Sequence, residues 1–368
     1  MAQALLQHRE LRHRHRTSPR RSKPTLAVAK IEMAETSFSW DRADSSILPE
    51  EVKRAMRFGE IQGLGWLPLC HTYSIVAREP ATGQLGVAVQ SHYFCVGGIV
   101  TWAEAGVGAV ATQAIAEPAY GQRGLELMRA GIDAPAALAK LVADDPGRDI
   151  RQVAMVDSYG RVAAHTGSAT IPEAGHIVGD GFSVQANMML RSTVWAAMAE
   201  AYRSTAGDLA DRLLAALDAA EAEGGDIRGR QSAALLIVPA KSSGRTGTDK
   251  VFDIRVDDAK EPLAELRRLA GVSRAFEHMR LAQGALARGD LRTMNTEFEH
   301  AMLFGAGNPE IRFWKALALM QSGRAGEGLA ILQEVVASDA NWRELALRLP
   351  AFMLPLGDDI RRQIRQLS

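Results

Sequence analysis

The chain has 368 residues and a formal net charge of +0, with 43 Lys and Arg against 43 Asp and Glu. At a sequence pI of about 7.1 it has no global field that favours nucleic acid or an anionic membrane. No apolar run approaches the roughly 20 residues that span a bilayer, and two cysteines are too few for a disulfide framework. These properties predict a cytoplasmic protein with neither a nucleic-acid nor a membrane partner.

Residues 1–66 differ from the rest of the chain in composition. Their first thirty residues carry Arg-rich and His-rich runs with few apolar side chains. Burial of so few apolar groups cannot offset the entropy lost on ordering, so this segment is predicted to be a disordered basic tail. Residues 47–58 predict a short helix, since Pro49 lies near its start and acidic residues occupy its first turn.

Residues 67–260 alternate between strand and helix patterns. The predicted strands are 73–77, 85–89, 107–112, 152–157, 161–165, 181–186, 232–238 and 251–256. The predicted helices are 120–130, 134–143, 194–203 and 208–222. Two antiparallel sheets stacked face to face, each covered on its outer side by a helix pair, satisfy this order economically.

Residues 261–368 have a helical pattern throughout. Gly289 and Gly323 lie in matching helix–turn junctions that are 34 residues apart (323 − 289 = 34). This spacing is the period of tetratricopeptide (TPR) repeats, which contain one helix–turn–helix per unit. The pattern therefore predicts an all-α, TPR-like domain that packs on the preceding one.

Seven motifs carry a resemblance to a known family. They are 71–78, 86–92, 102–113, 164–167, 182–188, 225–232 and 255–258. In these motifs, over about half its length, the chain resembles an uncharacterised bacterial family labelled DUF1028, which is grouped with the N-terminal nucleophile (Ntn) hydrolases. The resemblance implies an α+β fold, with a four-layer αββα Ntn-type sandwich followed here by the TPR-like domain. Some tails in this family are labelled as peptidoglycan-binding.

Thr72 is the first candidate for a nucleophile, because it is the hydroxyl residue that opens the first predicted strand. In Ntn hydrolases the free α-amine of such a residue is its own base, and a reference pKa near 7.7–8.0 suits that role. While His71 is attached, Thr72 has only an amide nitrogen, so the chain would have to be cut before Thr72. Cys70 is the alternative nucleophile. An ordinary β-branched strand residue is the plain structural alternative for Thr72.

Polar residues near the predicted strand ends complete the candidate site. His92 could protonate a leaving amine, and Asn187 could donate to a developing oxyanion. Ser91 with His92 could instead form a conventional hydrolase site without a terminal amine. The residues assigned to substrate binding are Glu104, Gln113, Asp226, Arg228 and Gln231. Each has a structural alternative, such as a turn residue, a helix cap or an Asp–Arg pair that fixes a loop.

Together these features predict an Ntn-type amide or peptide-bond hydrolase that acts on a small amino-acid conjugate or a short peptide. The alternative is a catalytically silent scaffold with a helical module that binds a partner or peptidoglycan. Neither a cofactor nor a metal is predicted. The apolar residues Tyr93 and Phe94 suggest a homodimer.

Overall fold

The computed structural model describes residues 69–245, 247–305, 307–355 and 357–368, so the predictions for residues 1–66 lie outside the described part. The strands are β1 (Leu69–Cys70), β2 (Thr72–Arg78), β3 (Leu85–Ser91), β4 (Thr101–Glu104), β5 (Gly108–Ile115), β6 (Arg151–Asp157), β7 (Val162–Thr166), β8 (Gly175–Gly179), β9 (Phe182–Ala186), β10 (Ser232–Val238) and β11 (Phe252–Val256).

Within the described residues, four helices accompany the strands, one short helix precedes β4 and six helices lie at the C-terminal end. They are α1 (Gly97–Val100), α2 (Ala119–Arg129), α3 (Ala134–Asp144), α4 (Val194–Ser204), α5 (Leu209–Ala222), α6 (Pro262–Ala287), α7 (Leu291–Phe304), α8 (Pro309–Gln321), α9 (Ala325–Ser338), α10 (Asn341–Arg348) and α11 (Asp358–Gln366). None of the helices in the described ranges is long and apolar enough to cross a membrane.

The strands form two antiparallel sheets. The first sheet has the order β1-β5-β6-β7, with β4 also paired to β5, and the second has the order β11-β10-β3-β2-β9-β8. Adjacent strands in each sheet run antiparallel, from the β1–β5 pair to the β8–β9 pair. The α+β class, with antiparallel sheets and a helical C-terminal region, is therefore confirmed.

Side chains that alternate between the two faces of each strand divide the apolar core into three layers. In β2, Ile75 packs with α4 and α5, while its neighbour Val76 packs between the two sheets. In β5, Val110 packs under α2 and α3, while Ala109 faces the inter-sheet layer. Successive side chains of a strand point to opposite faces, so each sheet contributes one face to a shared layer and one to a helix pair.

The long helix α6 belongs to two cores. Its first half places Leu266 and Ala270 in the apolar cluster of α4 and α5. Its second half places Ala275 and Ala282 in a separate cluster with α7 and α8. Because one continuous helix contributes to both clusters, the C-terminal helices are packed on the sheet-containing region.

Candidate active site

Thr72 begins β2 and faces the space between the sheets. Its side chain is fully buried, and its Oγ1 has no hydrogen-bond partner among the described residues. It lies opposite Ser91 of β3 in the sheet register. An unsatisfied buried polar group costs roughly 1–3 kcal/mol, so an unpartnered hydroxyl at this position calls for a functional or structural reason.

The carbonyl group just before Thr72 has two side-chain donors. Ser91 Oγ donates to the carbonyl oxygen of His71 at 2.6 Å, and Arg228 Nη2 donates to it at 2.8 Å. Arg228 is in turn fixed by Asp226, at 3.0 Å from Nε to Oδ1 and 2.7 Å from Nη2 to Oδ2. The peptide bond between His71 and Thr72 is therefore polarised by a hydroxyl and a guanidinium group.

The imidazole of His71 is also buried in this site, which the sequence interpretation did not anticipate. Its Nδ1 lies 2.8 Å from Oδ1 of Asn187. An amide oxygen only accepts, so Nδ1 carries a proton, and Nε2 has no partner among the described residues. Burial lowers the pKa of His71, although the bond to Asn187 opposes that change. Burial therefore favours the neutral form of the ring, in which Nε2 has a lone pair.

Buried amide side chains surround the main chain of Thr72. Gln113 Nε2 donates to the Thr72 carbonyl oxygen at 3.1 Å and to Oε1 of Gln152 at 2.6 Å. Its Oε1 accepts from Ser74 Oγ at 2.6 Å, and Ser74 Oγ accepts from Gln185 Nε2 at 2.6 Å. All of these side chains are fully buried. They form a polar region at one end of the otherwise apolar layer between the sheets.

Asn187 joins this region directly after β9. Its main-chain nitrogen donates to the Thr72 carbonyl oxygen at 3.1 Å, and its Nδ2 donates to Gln152 Oε1 at 2.9 Å. In the uncut chain its side chain therefore faces the Thr72 carbonyl and the His71 ring, while Ser91 and Arg228 hold the His71 carbonyl. Its role at an oxyanion stays a prediction.

Six of the nine site residues predicted from the sequence meet here, namely Thr72, Ser91, Gln113, Asn187, Asp226 and Arg228. The exposed His92 is at the rim, where its main-chain nitrogen donates to Oδ2 of Asp226 at 3.2 Å. Gln231 is also at the rim, with its main-chain nitrogen bonded to Ser91 and its side chain directed to Asp258.

Glu104 lies away from this group. It pairs with Gly108 at the start of β5, whereas Gln113 lies five residues further along that strand. At about 3.3 Å per residue, the two positions are roughly 17 Å apart. Glu104 accepts a hydrogen bond from Nε of Arg129 at 2.8 Å instead. The structure thus offers no contact between Glu104 and the Thr72 region.

Cys70, the alternative nucleophile, is fully buried, and burial raises its pKa to about 12. At pH 8 only about one Cys70 side chain in 10⁴ is then a thiolate, which is the reactive form. Cys95 is partly exposed. We expect iodoacetamide at pH 8 to modify Cys95 well before Cys70 in the folded protein, as measured by peptide mass spectrometry. If Cys70 were modified first, it would again be a candidate nucleophile.

Comparisons with known proteins agree on one family. The model of a family of unknown function, DUF1028, matches residues 72–266 of this chain. Protein SPO2555 from Silicibacter pomeroyi, whose crystal structure is assigned to DUF1028, has 31% sequence identity to this chain. The match covers 54% of this chain and 87% of that chain, with a TM-score of 0.49. The chain matches none of the curated proteins.

Proposed function

Because the chain belongs to the DUF1028 family, whose function is unknown, we propose a function from the site: an Ntn-type hydrolase of amide or peptide bonds, with Thr72 as nucleophile. One observation carries the proposal. The buried Thr72 hydroxyl has no partner in the part of the chain that the structure describes, while the carbonyl group beside it is held by Ser91 and Arg228. Preorganised donors at the carbonyl under attack are a principal source of rate enhancement in acyl transfer.

The proposal extends to the fold of the sheet-containing region and of the C-terminal helices. Two stacked sheets between helix pairs support an Ntn-type αββα sandwich. The C-terminal helices are TPR-like in the same proposal, supported by two glycines 34 residues apart (323 − 289 = 34). Gly289 and Gly323 have φ angles of 74° and 87°, and each ends one helix and leads into the next. Glycine adopts such angles without strain, so the two helix hairpins turn in the same way.

The free amine that this chemistry needs would come from self-cleavage. Thr72 Oγ1 attacks the carbonyl carbon of His71, and Ser91 and Arg228 donate to the oxygen as it becomes negative. The bond between His71 and the Thr72 nitrogen breaks, an ester to Oγ1 forms, and the hydroxyl proton passes to that nitrogen. Water then hydrolyses the ester, which leaves a carboxylate on His71 and an α-amine on Thr72.

The segment before Thr72 indicates the kind of substrate. In the uncut chain, β1 lies along β5, with Cys70 opposite Ala114 and Leu69 opposite Ile115. After cleavage, the acyl part of a substrate would occupy the place of His71 and put its carbonyl between Ser91 and Arg228. A short peptide could add to β5 as β1 does, because main-chain hydrogen bonds at an open strand suit extended peptides.

The rate of self-cleavage tests the proposed role of Arg228 at the His71 carbonyl. Replacing Arg228 by Ala removes one of two donors to the His71 carbonyl, so we expect cleavage to slow by about 10²-fold or more. The time course of intact mass measures it. Arg230→Ala is the matched control, since Arg230 lies two residues further on and bonds Glu221 at 2.8 Å. Equal rates for the Arg228 variant and the wild type would remove Arg228 from the proposed chemistry.

A further inference from the structure

Three groups that can bind metals face one another between α6 and α7, outside the candidate active site. They are His278 of α6 and Glu297 and His300 of α7. One ring nitrogen from each histidine and one carboxylate oxygen all lie within 4.8 Å of one another. Glu297 and His300 are three residues apart, a spacing that places both on one face of a helix.

We propose that this cluster binds a divalent transition-metal ion of the zinc type and so joins α6 to α7. Two imidazole nitrogens and one carboxylate oxygen form a ligand set that zinc uses, with bonds of about 2.0–2.2 Å. In a tetrahedral site of that size the ligand atoms lie roughly 3.3 Å apart. His300 is exposed, so its ring has room to turn and bring its nitrogen to that distance. Solvent supplies the fourth ligand.

The ring of His278 is already oriented for this role. Its Nδ1 lies 2.7 Å from Oε2 of Glu297, and its ring is stacked on that of Phe304, with centroids 5.6 Å apart and planes 4° apart. The rings of His278 and His300 have centroids 5.1 Å apart. His278 and Glu297 therefore already face each other, which lowers the entropy lost on binding. When a metal binds, the proton between them leaves and the two ligand atoms move apart by roughly 0.6 Å.

A nearby positive charge is compensated. Arg274 lies one turn before His278 on α6, with its guanidinium 5.7 Å from the centroid of the Phe304 ring. It donates to Asp208 at 2.7 Å and to Asp211 at 2.8 Å. Since two carboxylates neutralise this guanidinium, it opposes a bound cation only weakly.

Zinc binding to the full chain tests the proposal, by equilibrium dialysis with Zn²⁺ and by the visible absorption of bound Co²⁺. We expect one equivalent to bind at this cluster, and His300→Ala or Glu297→Gln to weaken that binding by at least about 100-fold, since even changes outside the ligand shell cost 10–100-fold. His300 is exposed, so its replacement should leave the fold intact, and circular dichroism verifies this.

The histidines of the basic tail require a control, because they lie outside the described residues and can also bind zinc. In a variant with His8, His13 and His15 replaced by Ala, we expect the zinc affinity of the cluster to be unchanged. Loss of the binding in this tail variant would overturn the proposal. Undiminished binding by the His300 variant, or no binding of Zn²⁺ by the wild type, would show that His278 and Glu297 form only a hydrogen-bonded pair.

Discussion

In a chain that begins at Thr72, replacing Thr72 by Ala is expected to reduce amide hydrolysis at least about 10⁴-fold, the loss seen when other hydrolases lose their nucleophile. Thr72 supplies the attacking oxygen, which has no other partner among the described residues, and as the first residue it would also supply the base. Turnover of a panel of short peptides and amino-acid amides measures the effect. In the full chain, the same substitution should also prevent self-cleavage.

Two substitutions separate chemistry from folding in that experiment. Thr72→Ser keeps the hydroxyl group and should retain most of the hydrolysis. Ser74→Ala removes a hydroxyl two residues further along β2, on the same face, where Ser74 bonds Gln113 and Gln185. We expect it to reduce stability while leaving the nucleophile in place. Equal turnover by the Thr72→Ala variant and the wild type would exclude Thr72 from the reaction.

Replacing Gln113 by Ala is expected to lower the free energy of unfolding by about 3–5 kcal/mol. The side chain bonds Thr72, Ser74 and Gln152 within the buried layer. Its loss leaves some of these groups unsatisfied, at roughly 1–3 kcal/mol each, and also opens a cavity. Urea unfolding at constant pH measures the change.

An exposed glutamine provides the control for this prediction. Gln122 lies on the surface of α2, and its side chain donates to Glu126 in the next turn. Replacing it by Ala should change the free energy of unfolding by about 0.5 kcal/mol or less, as is usual at the surface. If Gln113→Ala were as mild as Gln122→Ala, the amide layer would contribute little to stability.

The regular elements could be predicted from the sequence because their apolar periodicity is strong. The predicted helix 120–130 is Ala119–Arg129 in the structure, and the predicted strand 232–238 has the same bounds there. β5 is longer than predicted and continues through Gln113, whose buried amide bonds Gln152 on β6 and Ser74 on the facing sheet. β4 has only four residues, and β8 has glycine at both ends, so neither shows a strand pattern and partners elsewhere in the chain specify them.

The candidate site was only partly predictable for a related reason. Polar residues at strand ends drew attention to Ser91 and Asn187, and the register then places Ser91 opposite Thr72. Gln152 and Gln185 were missed because a buried glutamine in a strand has no local signal of its partners. Polar residues at alternate positions, as in Ser183-Val184-Gln185-Ala186-Asn187, are the pattern that could have revealed them.

His71 illustrates a second limit. Its place in the chain marks it only as the residue before the proposed nucleophile, and nothing local shows that it is buried. Its partners are Asn187, Ser91 and Arg228, which are far from it in the chain. Its burial and the two hydrogen bonds that its carbonyl oxygen accepts therefore emerge only in the folded structure.

The most direct test of the proposed mechanism is the N-terminal sequence and intact mass of the full chain after purification, compared with its hydrolytic activity. We predict that the active protein begins Thr72-Tyr73-Ser74-Ile75 and has lost the mass of residues 1–71. An uncut chain without hydrolytic activity would favour the silent scaffold. Full hydrolysis by a chain that still carries His71 would contradict the account, because Thr72 would then have no free amine.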